Sequence, residues 1–391
     1  MSKCYFLLDK ILHDPYTAVS FENTNGRSSL HFLLGHFAGF SYLDFFHVNQ
    51  IGLIKKDAIK FIVSPIHMPL NVDISLSQKS IDLINNDPTV YLCLLSFQEC
   101  LITPTDLKKE LIKQKINRKK VIVLCSNIDA NKQTIEDVRY IAINFWESIS
   151  RHQHQILPDI ASTAIEEYNI DNANKKFLCL NRNIKPHRIW LMYSMIKSNI
   201  LDQGHVSYAL PDIDKDEHKA VANSIHTLKH IPLELHGDFK MALLQKMYAR
   251  KLDSLDAKHV INYSSSIKHY YNDSVLSVIT ESDSHKNFIT EKTYKAIMNL
   301  HPFFIIGNPT QHSLLRARGY ETFEDLFGVN AVMNYNQAQQ LWTNIDNMDL
   351  SILKENIKKK YLDKLVHNQQ LFLSRVVSWD NIVDTLIETV N

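Results

Sequence analysis

The sequence predicts an α/β protein built as two Rossmann-like lobes facing a cleft, with a C-terminal helical tail, and three observations carry that expectation. Short apolar, β-rich runs alternate with longer amphipathic stretches along most of the chain, the pattern of parallel strands joined by crossover helices. The apolar runs are continuous, as strands covered on both faces must be. At 391 residues with 45% hydrophobic content, the chain can fill two buried cores.

In chain order, strands are expected at KFIVSPI (60–66), VYLCLLSF (90–97), KVIVLCS (120–126), KFLCLN (176–181), HVINYSSS (259–266), SVLSVITES (274–282) and PFFIIG (302–307). TPTDLKKELIKQK and TEKTYKAIMNL are amphipathic segments placed between such strands. Residues 150–175 are rich in His, Asn and Asp and hold no long apolar run, so the lobes are expected to part there, with a first, acceptor-side domain over 1–165 and a second over 170–365. After residue 330 the pattern turns helical, and 366–391 are expected to form a helix packing back toward the first lobe.

Composition narrows the function. Lys+Arg 43 against Asp+Glu 42 leaves a net charge of +1, too little bulk field to gather polyanions, so no nucleic-acid partner is expected. Nine glycines are present and none sit in G-x-G-x-x-G or a Walker A loop, so any phosphate must be held by side chains and helix ends. The five cysteines include no C-x-x-C pair, which suits a reducing compartment. Asp9 and Lys10 interrupt the first apolar run, and the uncharged stretch 28–43 is shorter than a bilayer span. A cytoplasmic protein is expected, with room for peripheral contact at the inner face of a membrane.

The richest stretch is SVLSVITESDSHKNFITEKTYKAIMNLHPFFIIGNP. Glu281 closes a strand at the position where open α/β sheets bind ligands. Thr290 can cap a helix opening at Glu291 and Lys292, so free N–H groups, the positive helix end and an ammonium would meet. Such a spot favours an anion, above all a diphosphate, while Glu291 can accept hydrogen bonds from sugar hydroxyls. A second strand end places Asn181, Arg182 and Asn183 before a helix with Pro186, His187 and Arg188, and a guanidinium there is a natural second phosphate clamp.

These residues resemble the donor-binding motif of the α1,3-fucosyltransferase family and its bacterial and phage relatives, an acidic residue followed, after a loop, by an aromatic and [IV]-T-E-K. Phe288-Ile289-Thr290-Glu291-Lys292 stands at the matching place, and N-x-N-x-x-x-x-R over 181–188 resembles the family's strand-end motif. The resemblance implies the two-lobed GT-B fold and transfer of a hexosyl or fucosyl group, without obligatory metal or other cofactor, from a nucleotide sugar to a hydroxyl of a glycan, lipid-linked sugar or protein. It implies a diphosphate clamp of Lys292 and Arg188, a donor contact at Glu291, the aromatic at Phe288, a purine, GDP-linked donor and inversion at the anomeric carbon. The family commonly has F-E-N where this chain has Thr280-Glu281-Ser282, so fucose is not assumed.

An inverting displacement needs a carboxylate in the first lobe as base. Glu99, just past the strand 90–97, is the candidate, resembling the site from which the family supplies its base; Asp129, Asp44 and His67 compete for the role. Two alternatives stay open: a binding module without turnover, and a metal-dependent transferase using Asp212 and Asp214, which with Asp216 resemble a D-x-D site.

Overall fold

Two parallel sheets organise the chain. The computed structural model describes residues 4–9, 45–65, 74, 76–96, 104–126, 133–144, 146–147, 150–151, 162–181, 185–208, 227–244, 268–282, 287, 289–375 and 379–391. The chain divides into unit 1, Met1–His152 with Val376–Asn391, and unit 2, Gln153–Arg375.

Unit 1 holds β1 (Tyr5–Leu8), β2 (Phe45–His47), β3 (Lys60–Pro65), β4 (Val90–Ser96), β5 (Val121–Cys125), β6 (Gln133–Ile135) and β7 (Val138–Ala142). Their order is β2-β1-β3-β4-β5-β7-β6, parallel throughout except for the antiparallel β6/β7 pair. The 2-1-3-4-5 part of this order is that of a doubly wound fold. Side chains alternate between faces. Leu7, Ile62, Leu92, Leu94 and Val123 pack with Ile81 and Ile84 of α1 (Gln78–Asn86) and Leu107 and Leu111 of α2 (Pro104–Lys113). Phe6, Phe61, Cys93, Leu95 and Leu124 pack on the other face with Ile382 and Leu386 of the last helix, Trp379–Val390. Both faces are dry, which is why these strands read as unbroken apolar runs.

Unit 2 holds β8 (Lys175–Asn181), β9 (Gly204–Tyr208), β10 (Ser274–Thr280) and β11 (Phe303–Ile306), all parallel, in the order β11-β10-β8-β9. Its helices are α3 (Pro186–Lys197), α4 (His236–Leu244), α5 (Lys268–Asn272), α6 (Glu291–Met298), α7 (Thr310–Ala317), α8 (Glu324–Phe327), α9 (Tyr335–Asp346), α10 (Leu350–Asn356) and α11 (Leu362–Ser374), and the helix Trp379–Val390 of unit 1 is α12. Every residue of β10 is buried. Gly204 opens β9 against the Phe177 ring, where a Cβ would come within 2.5 Å, and that close approach leaves Phe177 free to pack on Trp342 at 5.3 Å.

Two expectations change here. Residues 366–375, assigned from sequence to the returning tail, stay in unit 2: Phe372 of α11 stacks on Tyr294 of α6 at 5.7 Å, and Gln369 Nε2 donates to the carbonyls of Thr163 and Met298 at 2.8 and 2.6 Å. The division between units falls at 152/153, ahead of the expected 165–170. The expected strand 259–266 lies outside the described residues. Among the described residues, no helix is long and apolar enough to cross a membrane.

At the amino ends of β10 and β11, buried His301 takes a hydrogen bond from Ser277 Oγ at Nδ1 (2.7 Å), and its Nε2 donates toward the carbonyls of Tyr271 and Ser274 at 2.9 and 2.7 Å. Burial pushes its pKa down to about 4, against the opposing pull of the two carbonyls. The folded state therefore prefers neutral imidazole. This contribution is complete above the unfolded value near 6.5 and is lost as pH falls through 6.5 toward 4, by about 3 kcal/mol in all. His312, also held low by burial, acts in the same direction. Urea unfolding at pH 7 and pH 4.5 is expected to show the loss, reduced in His301→Gln; an unchanged slope in that variant would refute it.

Candidate functional site

The sheet of unit 2 changes direction of growth between β8 and β10. The connection from β8 runs through α3 to β9 on one side, and that from β10 runs through α6 to β11 on the other. The carboxyl ends of β8 and β10 thus frame the crevice where open α/β sheets take ligands. Two helices begin there: α3 at Pro186, whose ring suits a first helical position, and α6 at Glu291.

The start of α3 is fastened to β10 through three successive carbonyls. Arg188 Nη2 donates to Thr280 O at 3.1 Å, His187 Nε2 donates to Glu281 O at 2.8 Å, and Lys185 Nζ donates to Ser282 O. Carbonyls accept only, so His187 carries its proton on Nε2. Lys185 lies in the extended conformation required before proline, φ −140° and ψ 151°, which places it at the mouth of the helix. His187 and Arg188 are buried.

The start of α6 is fastened to the same strand end by Glu281. Its fully buried carboxylate accepts from Thr290 N (3.0 Å) and Thr293 Oγ1 (2.7 Å) on Oε1 and from Thr290 Oγ1 (2.6 Å) on Oε2. Thr290 is the N-cap, its hydroxyl accepting from Lys292 N at 3.4 Å. Lys292 Nζ donates to Glu291 Oε1 at 3.0 Å, Thr290 Oγ1 at 3.2 Å and Ser282 Oγ at 3.3 Å. The side chains of Lys292 and Glu291 keep 24% and 14% of their surface accessible, so this pair faces outward. Burial alone would push the Glu291 carboxyl up; the Lys292 and Lys295 ammonium groups outweigh it and hold it below the usual carboxylate range. Glu291 is therefore an ionised acceptor at neutral pH.

Of the residues singled out in the sequence, Asn181, Arg188, Glu281, Thr290, Glu291 and Lys292 meet at this strand end. Asn181 is 1% exposed and works internally, its Oδ1 accepting from Thr280 Oγ1 and its Nδ2 lying 3.3 Å from Cys179 Sγ. Glu281 likewise points inward. Asn183, Phe288 and Glu99 lie outside the described residues, as do Asp44, His67, Asp129, Asp212, Asp214 and Asp216. Among the described residues, no group of three or more His, Cys, Asp or Glu side chains is arranged to hold a metal ion. Sequence reasoning missed Lys185 and Ser282; the only signal was a lysine directly before the helix-opening proline. A third helix start borders the site: Asn308 Oδ1 accepts from Thr310 N at 3.0 Å at the head of α7, and Thr310 Oγ1 donates to Asn287.

No protein-family model matches the chain, and no curated protein matches it in sequence. Among solved structures it is similar to a UDP-forming α,α-trehalose-phosphate synthase from Burkholderia xenovorans, with 11% identity and a TM-score of 0.40 over 88% of this chain and 76% of that one. The enzyme of the same name from Burkholderia vietnamiensis gives 11% and 0.40 over 93% and 83%. A trehalose-6-phosphate synthase studied for glycosyl transfer with retention gives 12% and 0.42 over 87% and 76%. Likeness of this degree carries no donor, acceptor or residue role over to this chain.

Proposed function

We propose that the chain is a GT-B glycosyltransferase whose unit 2 grips the diphosphate of a nucleotide-sugar donor where β8 and β10 end. One observation carries the reading: Arg188 and Lys292, from different helices, are held at Thr280 and Ser282, two residues apart on one strand end at a topological switch point. An anion there meets an ammonium, a guanidinium just beneath it and two helix N-termini. The Phe288-to-Lys292 motif supports the same ligand, and its family likeness favours a GDP-linked donor.

In this reading Lys292 bears the charge of the departing diphosphate, and Glu291 accepts from donor hydroxyls. Arg188 steadies the strand end while adding positive potential, and Glu281 and Asn181 position the loop and helix around it. Preorganised cations at the leaving group lower the barrier most where charge develops. The acceptor is a hydroxyl of a glycan, lipid-linked sugar or protein, deprotonated by a carboxylate of unit 1, for which Glu99 is the proposed group, with inversion and without a metal requirement.

Titration calorimetry with GDP and UDP tests the site. Lys292→Ala is expected to weaken whichever diphosphate binds by roughly 1.5–3 kcal/mol, the range for a charged hydrogen bond. Unchanged affinity would discard the assignment. Turnover that survives EDTA separates this reading from a D-x-D metal enzyme, and slow donor hydrolysis separates it from a binding module without turnover.

A further inference from the structure

Thr293, in the first turn of α6, is fully buried, and its hydroxyl donates to Glu281 Oε1 at 2.7 Å. Thr290 N donates to the same oxygen at 3.0 Å, and Thr290 Oγ1 donates to Oε2 at 2.6 Å. Among the described residues, the Glu281 carboxylate meets these three neutral donors and no cation. Two of the three belong to Thr290, so Thr293 is the contact that fixes the carboxylate from a second residue.

An ammonium stands just across one hydroxyl. Lys292 Nζ donates to Thr290 Oγ1 at 3.2 Å, the oxygen that itself donates to Glu281 Oε2. Its other acceptors are Glu291 Oε1 at 3.0 Å and Ser282 Oγ at 3.3 Å, so it pairs with one carboxylate and keeps 24% of its side-chain surface open. A buried carboxylate short of a donor is costly, and an ammonium is the strongest partner it can find. Released on its Thr293 side, the Glu281 carboxylate can turn about Thr290 toward that ammonium, and Lys292 is then shared between two carboxylates.

We infer that Thr293 is a positioning residue for the diphosphate clamp: by holding Glu281 Oε1 it keeps that carboxylate from capturing Lys292, and so leaves the ammonium available to a nucleoside diphosphate. This rests on the diphosphate reading above and adds to it the residue that decides whether the clamp is open to its ligand. An incoming anion has to win the ammonium from whatever carboxylate holds it, and a second carboxylate raises that threshold. Glu281 is needed to seat α6, and Thr293 turns its charge away from the anion site.

The test is titration calorimetry on the full chain with GDP and UDP, for wild type, Thr293→Val, Thr293→Ser, Lys292→Ala and the double variant Thr293→Val/Lys292→Ala. Thr293→Val keeps the shape of the side chain and removes the hydroxyl; it is expected to weaken whichever diphosphate binds roughly 10-fold, the lower end for loss of one charged hydrogen bond. Thr293→Ser keeps the hydroxyl and is expected to bind as wild type does. In the Lys292→Ala background, Thr293→Val is expected to cost nothing further, because the ammonium it protects is gone, whereas a merely loosened helix start weakens binding by the same factor in both backgrounds. Equal factors overturn the inference. So does a Thr293→Val protein that binds like wild type while Lys292→Ala is weakened; either result leaves the donor reading intact. Should the valine protein not fold, Thr293→Ser decides alone: a folded serine variant with the loss expected of valine overturns the inference, and one that binds as wild type supports it. Wild type that binds neither GDP nor UDP, or Lys292→Ala with unchanged affinity, removes both readings.

Discussion

Glu281→Ala is expected to destabilise unit 2 by roughly 3–5 kcal/mol and to abolish nucleoside diphosphate binding. The wild-type carboxylate is completely buried and gathers three donors, of which Thr290 N is backbone and cannot turn away. Truncation leaves that N–H and the Thr293 hydroxyl without their acceptor and opens a cavity under the start of α6, two penalties that add. Thr290 then loses the bond that holds it as N-cap, and Lys292, which leans on Thr290 and Ser282, loses its seat. Glu281→Gln keeps the volume and one acceptor oxygen but turns an amide NH2 toward a site that supplied donors, so an intermediate loss is expected. Urea unfolding and calorimetry on the same samples decide the matter. A Glu281→Ala protein within 1 kcal/mol of wild type, still binding GDP or UDP, would show that this carboxylate does not position the helix.

What could be read from the chain follows from what burial does to sequence. β3, β4, β5, β8 and β10 lie inside sheets, so their apolar runs are unbroken and visible; β11, at an edge, shows one too because all four of its residues are buried. β2, β6 and β9 are edge strands; β9, Gly204–Tyr208, carries His and Ser between its apolar positions, and a half-covered edge leaves no run to find. Thr290 was legible as a cap because the T-E-K pattern is local. The inward turn of Glu281 was not, because it depends on where α6 begins relative to β10, ten residues away. Lys185 looks like any solvated lysine until Pro186 fixes the chain and Ser282, almost a hundred residues later, supplies its acceptor. Helical periodicity in 362–374 announced a helix but not its unit, which is decided by Phe372 and Gln369 meeting α6.

The largest effect expected away from the ligand is at Trp342, and it reaches the same site through α3. Trp342 is fully buried on α9, packs on Phe177 of β8 at 5.3 Å, and donates from Nε1 to Ser194 Oγ at 2.8 Å; Gln339, one turn earlier, donates to Ser194 O at 2.8 Å. α9 thus grips the middle of α3, the helix whose first residues hold Thr280, Glu281 and Ser282. Trp342→Ala is expected to cost about 3–5 kcal/mol, the range for deleting a large aromatic from a close-packed core. Diphosphate binding is then expected to fall only as far as unit 2 unfolds. Trp342→Phe keeps a ring against Phe177, and Ser194 Oγ still donates to Leu191 O at 2.6 Å, so a smaller loss of about 1–2 kcal/mol is expected, with nucleotide affinity retained. Should Trp342→Phe stay folded yet lose the nucleotide, α3 would have to be held at its start by more than the three carbonyls of β10, and the picture of a site locked at that strand end would fail.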